Sequence, residues 1–542
     1  MGVNLRAERS NSPRVRIDLW TTLVVVSAVL LLTPLAAVFL GIFEASELWP
    51  HLAQTVLKDY LLNTGLLICG VGVVSIIFAL PTAWLVANYN FPLRDFWKWA
   101  LVMPLAVPTF AASFAYYDLL DASIPLVVAA RTQFGFEASQ WVELIIRYGL
   151  LITLLSSVLY PYLFLSLRTA FTKQQSIYIE ASRMLGKRTR SIFFRIALPM
   201  SRPMLIAGLS LIIMEVVNDY GAVNMFGVPT LTEGIFRTWF GLEDRASGLR
   251  LAALVAVIIF LILALEAWQR RRLRYIEGSQ ANTTQRRVSL HGYRAWIACL
   301  LCASPVLIGF AYPVAKLSYW TYLAIETVRW ESFLGQAGRS ALLASATALL
   351  LSLFAFFLAF GTRIQKRRHV KTFVKSSTFG YALPSVVTGV GVMLIFGWLD
   401  QLADGAFLIS GSLYAIGFAY IVRFMTVAYG PLSAGMLTVC GSLHEASQTL
   451  GRSRWQSFAS IHWPMLRLTI LACATLVFID IMKELPLTLI LRPSDFETLA
   501  TFAFGFAKEG QIYDCALPSL LIIALGVFGL LVLESWIEKE TT

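Results

Sequence analysis

Twelve long apolar runs follow one another along this 542-residue chain, and they constrain its fold more than any other feature. A helix needs about 20 apolar residues to cross the hydrocarbon core of a bilayer. The sequence therefore predicts an all-α polytopic membrane protein with about twelve transmembrane helices. We number the predicted spans 1 to 12, at 20–42, 61–88, 97–119, 146–168, 203–225, 248–268, 295–316, 340–361, 376–398, 409–430, 466–488 and 516–536.

The composition agrees with a surface that faces lipid. Hydrophobic residues make up 57% of the chain and charged residues only 14%, whereas about a quarter of a soluble protein is charged. The first apolar stretch, from Leu19 to Phe43, is longer than the apolar core of a signal peptide, which has about 7–15 residues. We expect it to be retained as the first helix, with membrane lipid as its neighbour.

The basic residues predict which side of the membrane each loop occupies. If the N-terminus is cytoplasmic, 31 of the 44 Lys and Arg residues lie on the inner side. An excess of this kind is expected of cytoplasmic loops. The sequence therefore predicts a bacterial inner-membrane protein with both termini in the cytoplasm. The net charge of +12 then reflects a basic inner face and not nucleic-acid binding.

Two segments of the chain repeat each other at an offset of 265 residues. Residues 180–203 read EASRMLGKRTRSIFFRIALPMSRP, and residues 445–468 read EASQTLGRSRWQSFASIHWPMLRL, with ten identical positions out of 24. Each copy lies between the fourth and fifth predicted spans of its half. We therefore predict a first module at 1–280 and a second at 281–542, with six spans each. An even number of spans makes the two modules parallel in the membrane.

The repeated segments have the pattern of a short docking element. Gly186 and Gly451 end a helical turn, where glycine readily takes the left-handed conformation. Apolar residues three apart follow, which predicts one apolar stripe on a second short helix that a proline closes. Such a helix could lie on lipid headgroups or dock into another protein. Two copies at equivalent positions favour docking.

The segment from Glu180 to Pro199 closely resembles the E-A-A-(three residues)-G-(nine)-I-x-L-P loop of binding-protein-dependent ABC importer permeases. Ser182 and Ser447 depart from the second alanine of that motif, and Trp463 replaces the leucine before Pro464. The segments 214–240 and 480–493 look most like the fused permeases of ferric-iron importers.

This resemblance implies two type I importer modules, a cytoplasmic ABC ATPase dimer that holds the loops, and a periplasmic substrate-binding protein. It also implies that ATP binds to the partner subunits and that this chain binds no cofactor. The implied coupling-loop positions are Glu180, Ala181, Gly186, Phe193, Pro199, Glu445, Ala446, Gly451, Phe458 and Pro464.

Polar residues interrupt spans 5 and 11 at matching positions. The spacing i, i+3 and i+4 predicts that each set lies on one helix face. A charge at mid-bilayer costs about 2.5–3.5 kcal/mol, so these side chains should face each other or a wet cavity. They could form a structural ion-pair cluster, or line a pathway for a hard cation such as ferric iron. The candidates are Glu215, Asn218, Asp219, Asp480, Lys483 and Glu484.

Two further features bear on function. Arg423, near the inner end of span 10, is expected to snorkel to the interface. No G-x-x-x-x-G-K-[ST] motif is present, so the chain is not predicted to be an enzyme that hydrolyses ATP. The histidines and cysteines form no pattern typical of a metal site.

Other functions stay open at this point. The same machinery could carry phosphonate, polyamine, thiamine or sulfate. A secondary transporter also has twelve spans and parallel halves, although it has no use for a duplicated docking loop. A membrane enzyme is not supported by any nucleophile-and-base pair.

Overall fold

The computed structural model describes residues 19–174, 176–273, 287–364, 374, 383–403, 409–438, 443, 446–447 and 449–541. Nearly all of this is helix. The helices and helical turns of the first half are Leu19–Gly41, Trp49–Thr55, Leu57–Asn88, Arg94–Ala100, Met103–Ala106, Thr109–Ala122, Ile124–Phe134, Phe136–Thr169, Ala170–Gln174, Ser176–Met184, Thr189–Ile192, Phe193–Ala197, Leu198–Asn218, Gly221–Met225, Leu231–Phe236, Arg237–Gly241 and Arg245–Leu273. Those of the second half are Tyr293–Val306, Leu307–Ala311, Tyr312–Ala324, Trp330–Ile364, Ser385–Leu402, Leu413–Thr438, Arg454–Ser457, Phe458–His462, Trp463–Met482, Pro486–Leu491, Leu499–Lys508 and Ala516–Thr541.

The helices confirm the all-α prediction. Among the described residues, ten helices are long and apolar enough to cross a membrane, and a bent pair gives an eleventh. Span 12 corresponds to the helix Ala516–Thr541, whose apolar part, Ala516–Val532, is shorter. Each predicted span therefore overlaps a helix, although not every helix is a full-length straight span.

Span 3 is the bent pair. Its two parts, Arg94–Ala106 and Thr109–Phe134, meet at an angle of 90°. Pro104 lies in the 3₁₀ turn before the bend, and Pro108 has an extended backbone directly before the second part. Proline lacks the N–H that a continuous helix needs, so two prolines four residues apart account for the break.

The first span of the chain packs mainly against the second half. The helix Leu19–Gly41 makes its most extensive contacts with span 9, Ser385–Leu402. The two backbones approach closely at Gly391, where an added Cβ atom would lie 2.3 Å from the carbonyl oxygen of Pro34. Only glycine fits this crossing, because it has no side chain.

The first span of the second half packs in turn against the first half. The hydroxyl of Tyr312 in span 7 donates to the carbonyl of Ala115 in span 3, at 3.0 Å. The hydroxyl of Tyr116 donates back to the carbonyl of Ile308, also at 3.0 Å. A two-residue strand, Val288–Ser289, pairs in parallel with Tyr89–Asn90 in the first half. Each half therefore sends its first span into the other.

Candidate functional site

The helices of spans 5 and 11 both end within the predicted sets of polar residues. The helices stop at Asn218 and Met482, and Asp219 has an extended backbone with ψ of 123°. The prediction of one continuous helix face is therefore wrong for Asp219, Lys483 and Glu484. A short acidic side chain competes for backbone N–H groups, and a proline at 486 disfavours helix at the residue before it.

The two carboxylates beyond these helix ends accept hydrogen bonds from the next short helix. Asp219 Oδ1 accepts from the backbone N–H groups of Ala222, at 2.9 Å, and Val223, at 3.2 Å. Glu484 Oε1 accepts from the backbone N–H of Leu487, at 3.2 Å. Each acid thus satisfies donors at the start of a helix, where no intrahelical partner exists.

All six predicted pathway residues line one cavity of about 100 Å³ between the two halves. Span 5 supplies Glu215 and Asn218, and Asp219 follows at its end. Span 11 supplies Asp480, and Lys483 and Glu484 follow it. The structure therefore brings together the residues that the sequence paired at an offset of 265. Pro108, Thr109 and Tyr220 are among the other residues of the first half that line the cavity.

Arg423 also lines this cavity, and the expectation that it snorkels to the interface is wrong. Arg423 has only 3% of its surface exposed. Its guanidinium donates a hydrogen bond to the carbonyl of Leu383 and acts electrostatically on Glu484. A buried arginine beside a buried acid reduces the cost of both charges, which explains why Arg423 lies inward. The sequence signal for a position at the cavity was a single arginine within an otherwise apolar span.

The other basic residue of the cavity is paired within its own half. Lys483 Nζ lies 2.8 Å from Asp480 Oδ1. With Arg423 and Lys483 set against four acids, the lining keeps an excess of two negative charges. Both bases come from the second half, so the acidic excess belongs to the first half, at Glu215 and Asp219.

A hydrogen bond joins the two halves at the cavity. Asn218 Oδ1 accepts from the backbone N–H of Ser385, at 2.6 Å, and the bond is buried. Ser385 is the first residue of the helix Ser385–Leu402 in span 9, and a backbone N–H at the start of a helix has no intrahelical partner. A side chain of the first half therefore caps a helix of the second half.

No group of three or more His, Cys, Asp or Glu residues that could hold a metal ion occurs in the described part of the chain. The four acids share one cavity without forming a chelating cluster.

The two repeated loops share one turn. Gly186 and Gly451 have φ values of +70° and +76°, the left-handed conformation expected of them. The N–H after each glycine bonds to the carbonyl five residues earlier: Lys187 to Ser182 and Arg452 to Ser447, both at 3.1 Å. This is the Schellman arrangement for ending a helix. Glu445, the first residue of the second copy, lies outside the described residues.

The tips of the loops are exposed and apolar. Met184 and Leu450 have 89% and 81% of their surface exposed, and Leu185 is also exposed. Ala181 and Ala446 lie on the accessible side as well, whereas Glu180 is half-buried. The apolar surface of each loop therefore lies at its tip, where the predicted docking would cover it.

The phenylalanines of the loops face their own half. The ring centroid of Phe193 lies 5.0 Å from that of Trp84 in span 2. The ring of Phe458 lies 4.6 Å from that of Phe356 and 4.9 Å from that of Phe360 in span 8. These contacts attach each loop to its module, so the predicted apolar stripe points inward and the exposed tip lies elsewhere.

Pro199 and Pro464 do not close the short helix as predicted. The helical segments continue from Thr189 to Asn218 and from Trp455 to Met482. A wide π-type turn, Phe193–Ala197 or Phe458–His462, precedes each proline. In each turn, the backbone N–H of the residue before the proline donates to the carbonyl five residues earlier, that of Phe193 or Phe458. The wider turn accommodates a ring that would strain an α-helix.

Comparison with known proteins places relatives along the whole chain. Residues 73–275 match the family described as the inner membrane component of binding-protein-dependent transport systems. The Fe(3+)-transport system permease protein FbpB 2 of Haemophilus influenzae is 22% identical over 497 residues, covering 91% of this chain and 92% of that protein. The ferric transport system permease protein FbpB of Actinobacillus pleuropneumoniae is 20% identical over 534 residues, covering 94% and 76%.

A shorter relative matches about a third of the chain. The putative 2-aminoethylphosphonate transport system permease protein PhnV of Salmonella typhimurium is 26% identical over 203 residues, covering 36% of this chain and 74% of that protein. The ferric relatives, in contrast, match through both halves.

Proposed function

Because the chain is a fused permease component of a binding-protein-dependent ABC transporter of the inner membrane, we propose that it imports ferric iron into the cytoplasm. The observation that carries the cargo is the match over 91% of the chain to a permease whose name states Fe(3+) transport. The acidic excess in the cavity supports the same cargo, since a hard cation prefers carboxylate oxygens.

The partners follow from the transport class. A periplasmic binding protein delivers the cargo, and a dimer of cytoplasmic ABC ATPases holds the loops at 180–203 and 445–468. We propose modules at 1–280 and 281–542, with both termini in the cytoplasm. ATP-driven closure of the ATPases draws the loops together and rocks the two halves about the cavity. ATP stays on the partners, because the sequence contains no phosphate-binding loop of the G-x-x-x-x-G-K-[ST] type.

A phosphonate is the second candidate cargo. Arg423 and Lys483 both line the cavity, and two of its acids bind backbone N–H groups. A cavity with two basic groups could admit an anion, and the relative PhnV is named for 2-aminoethylphosphonate transport. The same reasoning keeps sulfate open, since a sulfate permease, CysW of Escherichia coli, is 27% identical over 203 residues.

The cargo is tested by reconstituting the full chain with its ATPase in proteoliposomes. Binding proteins loaded with ferric iron, 2-aminoethylphosphonate or sulfate are added to the outer side, and ATP hydrolysis and solute accumulation are measured. We expect only the ferric protein to stimulate both. A Gly186→Asp, Gly451→Asp double variant, inserted but unable to couple, is the control. Stimulation by an anion-loaded protein alone would overturn the ferric proposal, and uptake without the ATPase would indicate a secondary transporter.

A further inference from the structure

The breaks after spans 5 and 11 are built in the same way. Asp219 stands two residues before the short helix Gly221–Met225, and Glu484 stands two residues before Pro486–Leu491. Each carboxylate accepts from the N–H of the second residue of its helix, Ala222 or Leu487. The sequences around Asp219 and Glu484 differ, yet in both halves an acid accepts a hydrogen bond from the start of the short helix that follows it.

These hydrogen bonds are buried. Asp219 is 8% exposed and Glu484 is 7% exposed, and the backbone at Ala222 and Leu487 is enclosed as well. A buried N–H without a partner destabilises the fold, and an ionised acceptor makes a stronger bond than a neutral one. The break is therefore stable only while an acceptor occupies each position.

The acids one turn earlier have a different setting. Glu215 and Asp480 are still part of spans 5 and 11, four residues before Asp219 and Glu484, and both line the cavity. Asp480 Oδ1 lies 2.8 Å from Lys483 Nζ, so the charge of Asp480 is balanced within its own half. Glu215 lies in the half that supplies the acidic excess of the cavity lining.

We propose that Asp219 and Glu484 are positioning residues that hold the two breaks, and that contact with the cargo falls to Glu215. The second part of this inference rests on the proposed transport function, whereas the first part does not. It gives different tasks to acids that look equivalent in the sequence.

The first part is tested on the purified full chain by hydrogen–deuterium exchange of the amides in 219–226. Asparagine caps a helix about as well as aspartate, whereas alanine does not. We expect Asp219→Asn to exchange within about twofold of wild type and Asp219→Ala to exchange at least about fivefold faster. Glu215→Ala, four residues earlier, is the matched control and should leave this segment unchanged. Wild-type exchange in Asp219→Ala would overturn the proposal.

The second part is tested by ferric-iron uptake in cells that depend on this transporter. Asp219→Asn should restore uptake at least about fivefold over Asp219→Ala, and Glu484→Gln should do so over Glu484→Ala. Glu215→Gln should instead raise the half-saturating concentration of the loaded binding protein. Uptake in Asp219→Asn as low as in Asp219→Ala, with normal exchange, would show that the charge itself serves the cargo. If wild type takes up no ferric iron, the cargo proposal fails while the exchange comparison still tests the positioning role.

Discussion

Arg423 and Glu484 are the most deeply buried charges of opposite sign at the cavity, with 3% and 7% of their residue surfaces exposed. Removing one partner of a buried pair leaves the other charge uncompensated, which costs roughly 3–5 kcal/mol. We therefore expect Arg423→Gln to lower the free energy of unfolding in detergent by about that amount. The Arg423→Gln, Glu484→Gln double variant should recover part of the loss, because the amide still accepts from Leu487 N–H.

The measurement is a double-mutant cycle from equilibrium unfolding of the purified chain. A single Arg423→Gln variant as stable as wild type would contradict the pairing, since it would mean that water solvates Glu484. Additive effects of the two substitutions would do the same.

Gly186 and Gly451 allow the backbone and the docking surface to be separated. At φ of +70°, a residue with a Cβ atom costs about 1–2 kcal/mol, although asparagine and aspartate tolerate this conformation. We expect Gly186→Asn to keep most uptake, Gly186→Val to lose it through the turn, and Gly186→Asp to lose it through charge at the contact. Copurification of the ATPase with each variant measures the difference. Equal copurification with Asn and Asp would contradict a charge-sensitive contact.

Spans 1 and 9 are two long helices whose backbones approach each other closely where they cross. Alanine at 391 would place its Cβ atom 2.3 Å from Pro34 O, so one helix must move. Gly397 lies on the same helix with nothing within 4 Å of its added Cβ atom, which makes it a matched control. We expect Gly391→Ala to lower the unfolding free energy by about 1–3 kcal/mol or more, and Gly397→Ala to leave it nearly unchanged. Equal thermal unfolding midpoints in detergent would show that the helices do not cross closely.

The positions of the helices were predictable from the sequence because hydropathy alone places them in the membrane. The breaks in these helices were predictable only in part. The bend of 90° in span 3 lies between Pro104 and Pro108, residues that any reading of the sequence can identify as helix breakers. At Asp219 the break depends on a carboxylate that turns back to Ala222, and periodicity carries no information about such a local hydrogen bond. Pro199 misled in the opposite direction, because the wide turn before it keeps the helix continuous.

The candidate site was predicted in its membership but not in its roles. The offset of 265 paired the six polar residues, and the cavity contains all of them. The position predicted for Arg423, at the membrane interface, was wrong. The residue aligned with Arg423 at that offset is Val158, which is apolar, so the repeat did not indicate a second basic group at the cavity. Roles depend on which atom lies near which, and that is set by packing between spans distant in the sequence.

At the scale of the whole molecule, the two halves are repeats in sequence but are not separate packing units. Span 1 lies on span 9, and span 7 lies on the helices of the first half. The hydrogen bonds of Tyr116, Tyr312 and Asn218 all cross between halves. Hydropathy cannot show this exchange, because any apolar helix satisfies the same pattern. If the halves rock about the cavity as proposed, each exchanged span moves with the opposite half.

This exchange predicts how the chain behaves when it is divided. We expect 1–280 and 281–542, expressed together as two polypeptides, to assemble and restore uptake. With 43–280 in place of 1–280, the second half should be degraded although all of its own residues are present, because span 9 loses the helix that covers it. The abundance of 281–542, followed by immunoblotting of membranes, measures this.

The control replaces span 1 by an unrelated apolar helix of equal length, which keeps the topology of the first half but not the crossing at Pro34. Because lipid is as apolar as a generic helix, only specific packing holds helices together in a membrane. We therefore expect the replacement to lower the abundance of 281–542 nearly as much as the deletion does. Normal abundance of the second half without span 1 would mean that each half is complete in itself, and that the contact with Gly391 contributes little to the assembly.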